Sequence, residues 1–518
     1  MMKSKLIYSF IGVLTLCSCQ NKVEIVPDTV INKPDGVMVF SPQLNLISDD
    51  FDGLGVEWGA YEDTNKLQTN AWERITKYAN RLDGMSLVRC MVSYDWFCEN
   101  LDTKGDNDKT NDTWTYNFTN KYMKSTEDVL SYCQAHDINV AFGAWNVIGS
   151  FPDDTWGMMD DVTSDPRWAK MNADILEYLI LKKGYTCIKY VVNSNEPNYT
   201  GKVGSSKNAN NTFEKWKQGV LNVRKALDDI GLNNVQVVGS DATATKDGTF
   251  EAYLNGISQD EELKDAVGDY GVHVYAQKMP LDNGTMLDMY KEYFDKVKEN
   301  DPGLGSERKI HIWEGGLVDY KDPVKDCQGI ITQYDYATIM ANYTLTALVS
   351  GVNGITFWDF DDAMHFMYNS DGTSTPKEWG MFSSLSGASA LKQQLRPWYH
   401  SSSLLINLLR RHNVIFDSGD NSSEKEPNLR SIATISNDRN TAGVIFSNTG
   451  KDRTVKFVID EKYNNDDKLY VYIFNEKYAL LGEDGFIKPN YQVNGSLNKI
   501  IELTIPSNSM VVVSNKVL

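Results

Sequence analysis

From about residue 50 to residue 360, short apolar runs alternate with longer segments of helical period. The strand-like runs are Leu54–Trp58, Ser86–Ser93, Ile138–Ala144, Cys187–Val192, Val235–Gly239, Gly271–Tyr275, Ile310–Trp313 and Gly354–Trp358. Each is a short apolar stretch bounded by polar or turn-forming residues, as buried strands are. Between them, Asn70–Leu82 opens with Asn70 and Glu73 at capping-box spacing. Phe213–Ile230 ends at Gly231, the residue type that best tolerates the turn after a last helical residue. Eight strands with helices between them are what a (β/α)8 TIM barrel requires, and the span falls within its usual range of about 200–400 residues. A doubly wound open sheet has the same alternation. It is disfavoured because no Gly-rich phosphate turn follows the first strand.

Beyond Leu408 the texture changes. Ser431–Ser436, Thr441–Phe446, Thr454–Ile459, Leu469–Phe474, Ile500–Leu503 and Ser509–Ser514 are short β-like runs separated by Asn, Asp and Gly. They predict an all-β sandwich of about 100 residues. The expected division is a signal peptide at 1–18, an extended linker at 19–36, the barrel at 37–408 and the sandwich at 409–518. Val37–Phe40 is a candidate additional strand of the sandwich.

The N-terminus carries an address. Lys3 and Lys5 precede an apolar stretch, Leu6–Leu16, too short to span a bilayer. It ends in Leu16-Cys17-Ser18-Cys19, which resembles a bacterial lipobox, with Cys19 as the lipidated residue. The expected location is therefore the bacterial cell envelope, to which the exported chain is held by lipid. A plain secretory signal cleaved nearby is the alternative. Past the signal, Cys90, Cys98, Cys133, Cys187 and Cys327 are an odd set without metal-type C-x-x-C spacing. Cys90 and Cys187 lie in apolar strand-like runs and read as buried small hydrophobes.

Charge narrows the partners. With 51 Lys plus Arg against 70 Asp plus Glu, the formal charge is −19, and removal of Lys3 and Lys5 takes it to about −21. No basic patch offsets this, so nucleic acid is not an expected partner. Twelve Trp, 27 Tyr and 19 Phe suit neutral, hydroxyl-rich ligands. The Asp- and Asn-dense stretch 102–112 lacks EF-hand spacing and reads as a solvated loop.

In barrels of this kind chemistry sits at the C-terminal ends of strands. The fourth strand ends in Asn193-Ser194-Asn195-Glu196-Pro197-Asn198 and the seventh in Trp313-Glu314-Gly315-Gly316. Glycoside hydrolysis needs two carboxyl groups across one sugar, about 5–5.5 Å apart where configuration is retained. Glutamates at the tips of strands 4 and 7 both project over the barrel mouth. Trp58, Trp96, Trp145 and Trp379 stand near strand tips as platforms for a sugar face, or as core residues. Glu57, beside Trp58, is a candidate partner for a sugar hydroxyl, and Asp359, Asp361 and Asp362 contact hydroxyls or cap a loop. Arg89 also reads as a buried ion-pair partner, His273 and Tyr275 as core residues with satisfied polar tips, and His311 as a core histidine.

Asn195-Glu196-Pro197 resembles the strand-4 signature of the retaining glycoside hydrolases of clan A, and Glu314 matches their strand-7 nucleophile. Families 39, 30 and 5 are nearest in general look, and the likeness spans roughly residues 50–390, with the appended sandwich also like families 30 and 39. Arg89 at the end of strand 2, His273-x-Tyr275 at the end of strand 6 and Trp358 at the end of strand 8 match the clan in type and order. The resemblance implies that Glu196 is the acid/base and Glu314 the nucleophile. Asn195 would bond the 2-hydroxyl, Arg89 and Tyr275 would support Glu314, and Trp358 would floor the cleavage subsite. It further implies hydrolysis of a β-linked polysaccharide or oligosaccharide without metal or organic cofactor. A non-catalytic glycan-binding surface lipoprotein and a transglycosylase are the alternative readings.

Overall fold

The computed structural model describes residues 24–26, 35–59, 71–102, 111–145, 164–198, 213–244, 249–318, 330–362, 366–368, 374–376, 378–383, 395–424, 426–464 and 467–518. The signal segment, Cys19, Asn70 and Cys327 lie outside them. Eight strands form the barrel: β1 Gly53–Glu57, β2 Leu87–Ser93, β3 Asn139–Trp145, β4 Ile188–Val192, β5 in two pieces at Gln236–Val237 and Ala242–Thr243, β6 Asp269–Ala276, β7 Lys309–Leu317 and β8 Gly354–Phe357. The order is β5-β4-β3-β2-β1-β8-β7-β6-β5, parallel throughout, with the first piece of β5 on β4 and the second on β6. The ring is therefore closed. A further bridge joins Val237 to Val267.

Helices cover the outside: α1 Ala71–Asn80, α2 Lys121–Ala135, α3 Pro166–Leu176, α4 Phe213–Asp229, α5 Thr249–Ser258, α6 Glu261–Ala266, α7 Thr285–Asn300, α8 Tyr334–Val349 and α9 Pro397–Leu408. After α4, Gly231 sits at φ +80° and the Leu232 N–H bonds the Leu227 carbonyl, so the glycine closes that helix as its position predicted. Alternation along the strands sorts side chains into two layers. On β2, Val88, Cys90 and Val92 join the outer core against the helices, while Leu87 and Met91 fill the lumen with Ala141, Val192, Val238 and Trp313. Arg89 stands between Leu87 and Met91 on the lumen face. The side chains of Cys90, Cys98, Cys133 and Cys187 are buried.

The sandwich takes strands from both ends of the chain. Its four-stranded sheet runs Glu24–Val26, Ile500–Ile505, Arg453–Ile459, Val37–Phe40. Its seven-stranded sheet runs Tyr491–Asn494, Lys468–Phe474, Ser509–Ser514, Ala442–Asn448, Leu429–Ile435, Val414–Phe416, Leu46–Ser48. Phe40, Phe416, Phe446 and Phe457 lie in the core between the sheets. The barrel expected to begin at residue 37 thus begins at Gly53, because Val37–Phe40 and Leu46–Ser48 bury their apolar faces in the sandwich. Within the expected linker, Glu24–Val26 pairs with Ile500–Glu502. Tyr472, Phe474, Met510 and Val512 belong to the same apolar cluster as α8 and α9, which welds sandwich to barrel. Among the described residues no helix is long and apolar enough to cross a membrane.

Candidate active site

Strands β1, β2, β4, β5, β6 and β7 bring one charged cluster together towards the barrel mouth; Arg89, expected at the end of β2, is instead the third residue of Leu87–Ser93 and reaches the cluster from within the lumen. Arg89 is at its centre, fully buried. Nη1 donates to Glu57 Oε2 at 3.0 Å and to Glu314 Oε1 at 2.7 Å, and Nη2 donates to Asn195 Oδ1 at 2.7 Å and Asp241 Oδ2 at 2.9 Å. His273 lies with Nδ1 3.0 Å from Glu196 Oε1 and 3.4 Å from Glu314 Oε2, and with Nε2 2.9 Å from Asp241 Oδ1. The Tyr275 hydroxyl donates to Glu314 Oε2 at 2.6 Å. Oxygens of Glu196 and Glu314 approach within 4.8 Å of each other.

Local backbone irregularities aim these groups. Along β6 and β7 the pairing runs Val272 with Ile312 and then His273 with Glu314, so Trp313 is an extra residue. Such a bulge re-aims side chains. Here it turns two successive residues inward, Trp313 into the lumen and Glu314 to the mouth. Gly316 is paired with Tyr275, and a Cβ there would meet the Tyr275 ring at 3.2 Å. The missing side chain is what lets the phenol lie against β7 and reach Glu314. Glu196 and Asp241 both have left-handed backbones, φ 45° and 49°, and the Glu196 N–H bonds the Asp241 carbonyl at 3.1 Å. Non-glycine residues in that region are uncommon, and they concentrate at functional sites.

The cluster holds four carboxyls, Glu57, Asp241, Glu196 and Glu314, against two cations, Arg89 and His273. Burial pulls His273 down, but Asp241 and Glu314 outweigh it and hold the imidazole at a pKa of about 10, so both ring nitrogens donate. Burial opposes the Asp241 charge, but Arg89 and His273 keep its carboxyl below the usual range. Glu57 is the opposite case. Burial pushes it up to about 8 against the pull of Arg89, with Glu314 adding repulsion. Its second oxygen, Oε1, is buried without a hydrogen-bond partner, so Glu57 is a neutral acid at pH 7. One further proton then balances the cluster. Burial also raises Glu314, against His273 and Arg89. Glu314 nonetheless accepts from Arg89 and Tyr275 with His273 close by, partners that favour its charged form.

Glu196, His273 and Glu314 are the one set of metal-ligand type that comes together among the described residues. Arg89 and a doubly donating His273 already neutralise these carboxylates, so the set reads as acid–base machinery rather than a metal centre.

Of the sequence-predicted residues, the structure brings together Glu196, Glu314, Asn195, Arg89, His273 and Tyr275. Trp358 follows β8 half-buried, its N–H on the Gly315 carbonyl. Trp379 is half-buried too and meets the Tyr275 ring edge-on at 5.4 Å. Two expectations are corrected. Glu57 has no exposed surface and cannot reach a sugar, because it is in register with Arg89 and sits beneath it. Trp58, one residue on, faces the other way and is buried against Trp72, Tyr132 and Phe360. Trp145 ends β3, and its side chain lies outside the described residues. Trp96 stacks on Tyr122 at 5.4 Å. Asp359, Asp361 and Asp362 are buried, and Asp362 binds Arg396 and the Gly380 N–H, a loop-building role. His311 is a core histidine between Asp269 and Asp52. Asp241 was not foreseen, although its place just after the fifth apolar run was the available signal.

No protein-family model matches the chain, and no curated protein does. Solved structures do. The chain is similar to SrfJ from Salmonella typhimurium (12% identity, TM-score 0.60, 96% of each chain covered). It is also similar to an α-L-arabinofuranosidase from Thermotoga maritima (14%, 0.57, 93% of this chain and 99% of that one). A third is a GH30 endoxylanase from Clostridium papyrosolvens C71 (13%, 0.56, 92% and 98%). The coverage takes in barrel and sandwich alike: this chain has the fold of the clan A glycoside hydrolases, a (β/α)8 barrel with a β domain.

Proposed function

We propose that the protein is a retaining glycoside hydrolase acting by double displacement. The observation that carries this reading is the approach of Glu196 and Glu314 to within 4.8 Å across the barrel mouth. That approach is nearer to the spacing of about 5–5.5 Å in retaining enzymes than to that of about 6.5–9.5 Å in an inverting pair. Glu314 attacks the anomeric carbon as Glu196 gives its proton to the glycosidic oxygen; the C–O bond breaks and the leaving sugar departs as an alcohol. A glycosyl ester on Glu314 remains. Glu196, now a carboxylate bonded by His273, takes a proton from water as that water attacks the anomeric carbon, and Glu314 is released. Tyr275 and Arg89 support the charge that returns to Glu314. With its amide oxygen tied to Arg89, Asn195 has its amide nitrogen left for a sugar hydroxyl.

The substrate is read as a β-linked polysaccharide or oligosaccharide, and Cys19 of the lipobox-like N-terminus as the lipid anchor that would hold the enzyme to the cell envelope. The test is product release by residues 20–518 from β-glucans, mannans, xylans, galactans and α-L-arabinofuranosides, beside Glu314→Gln. Release from one glycan, abolished in the variant, supports the reading and names the sugar. Equal release by both proteins overturns the assignment.

A further inference from the structure

Asp241 is buried, and it ties together Arg89, His273 and the backbone of Glu196. One carboxylate oxygen accepts from Arg89 at 2.9 Å, the other faces His273 Nε2 at 2.9 Å, and its backbone carbonyl receives the Glu196 N–H at 3.1 Å. Its side chain is 2% exposed. The irregularity that puts it there is the break in β5 between Val237 and Ala242, where the ladder lapses and the chain takes the left-handed turn at Asp241.

We infer that Asp241 is a positioning residue of the acid–base step: by receiving the Nε2–H of His273 it keeps that imidazole doubly protonated, so that Nδ1–H is always presented to Glu196. The inference rests on the proposed role of Glu196 and goes beyond it. A neutral imidazole has one N–H and one lone pair. Without a carboxylate on Nε2, Glu196 and Glu314 could still draw the one proton of a neutral imidazole to Nδ1, but nothing would hold a second proton on Nε2 and the positive charge would be lost. With Asp241 in place, a fixed positive charge stands 3.0 Å from Glu196. That charge favours the carboxylate which Glu196 becomes on giving up its proton, while Glu314 is losing its own charge to the ester.

The groups facing His273 come from every strand around it: Asp241 from β5, Glu196 beyond β4, Glu314 from β7, and Arg89 and Glu57 from β2 and β1, with Tyr275 farther along β6. Asp241 and Glu314 contribute most to keeping the imidazole charged. Asp241 is the member of that pair that keeps its charge throughout the reaction, since Glu314 is esterified midway.

The test is His273 titration by NMR on the full chain with labelled histidine, which has six resonances to assign, using His273→Gln as the assignment reference. In the wild type, His273 is expected to remain protonated through pH 8 and to titrate near 10. In Asp241→Asn it is expected to titrate below pH 8. The alkaline limb of the pH–rate profile of that variant should move upward by about 1–3 pH units, the effect of losing a charge at this distance, whereas a merely structural role would lower the amplitude and leave the profile in place. A wild-type His273 titrating near 6.5 overturns the inference even if Asp241→Asn does not fold, as does an unchanged titration in a folded variant. The NMR readout needs no substrate. If the wild type proves inactive on every glycan while His273 behaves as expected, it is the glycosidase reading that fails and not this one.

Discussion

Replacing Glu57 with glutamine should stabilise the protein, and by an amount that depends on pH. The folded protein holds the Glu57 proton up to about pH 8, chiefly through burial, against an ordinary value of 4.5. An unfolded chain releases that proton at its ordinary pKa. Between the two values the unfolded state therefore binds fewer protons than the native state, and each pH unit in that window removes about 1.4 kcal/mol of stability. At pH 7 the window has been crossed by about 2.5 units, which amounts to roughly 3 kcal/mol. Glutamine does not titrate, and its carbonyl oxygen can still accept from Arg89 Nη1, so most of that loss should be recovered. With an unfolding entropy of about 2.1 cal/mol/K per residue, a chain of 518 residues gains about 1 °C per kcal/mol. Scanning calorimetry of both proteins should thus show a Tm difference of about 3 °C in favour of Glu57→Gln at pH 7, vanishing near pH 4.5. A variant that is less stable by the same amount at both pH values would refute the reasoning. It would mean that Glu57 is ionised and that its pairing with Arg89 holds the barrel together.

The rest of the cluster makes further demands. Tyr275→Phe removes a hydrogen bond to a charged carboxylate, about 1.5–3 kcal/mol, and should lower kcat roughly 10- to 150-fold with little change in Tm. Gly316→Ala should act in the same direction by pushing the phenol away from Glu314, and full activity in both variants would remove Tyr275 from the mechanism. At the other end of the barrel, burial pulls His311 down but Asp269 and Asp52 outweigh it and raise the imidazole to about 9. A raised histidine contributes stability that is complete below pH 6.5 and lost as pH rises through 9. The Tm gap between wild type and His311→Gln should accordingly shrink across that interval, and a gap independent of pH would contradict the pairing. Finally, Cys19→Ala should move the protein from the membrane fraction to the soluble fraction of cells expressing it; retention in the membrane would exclude lipid on Cys19 as the anchor.

Much of this architecture was legible because the barrel strands are apolar runs set between polar ends, and because catalytic groups gather where such runs stop. Each expected barrel strand is found within a few residues, with β7 extending past Trp313 to Leu317. The fifth shows what such a pattern misses. Its apolar run ends at Gly239, but the strand resumes at Ala242, and the polar Ser240-Asp241 between the pieces is where the site gains one of the four acceptors of Arg89. Glu57 and Trp58 were misplaced for a different reason. A position near a strand tip does not say how deep the side chain lies, and two adjacent residues in a strand cannot both face the mouth without a bulge. Such a bulge exists on β7, where Trp313 and Glu314 both turn inward. The sandwich strands at Val37–Phe40 and Leu46–Ser48 pair with segments some 370 to 420 positions later, a partnership that local pattern only hints at.

The most direct test of the central claim is to trap the glycosyl–enzyme. Residues 20–518 would be incubated with an activated 2-fluoro glycoside of the sugar released in the substrate panel, digested, and mapped by mass spectrometry. A fluoroglycosyl group on the peptide containing Glu314, and its absence in Glu314→Gln, is the predicted result. An enzyme that turns over the glycan but carries no sugar on Glu314, or carries it on another residue, would contradict the account.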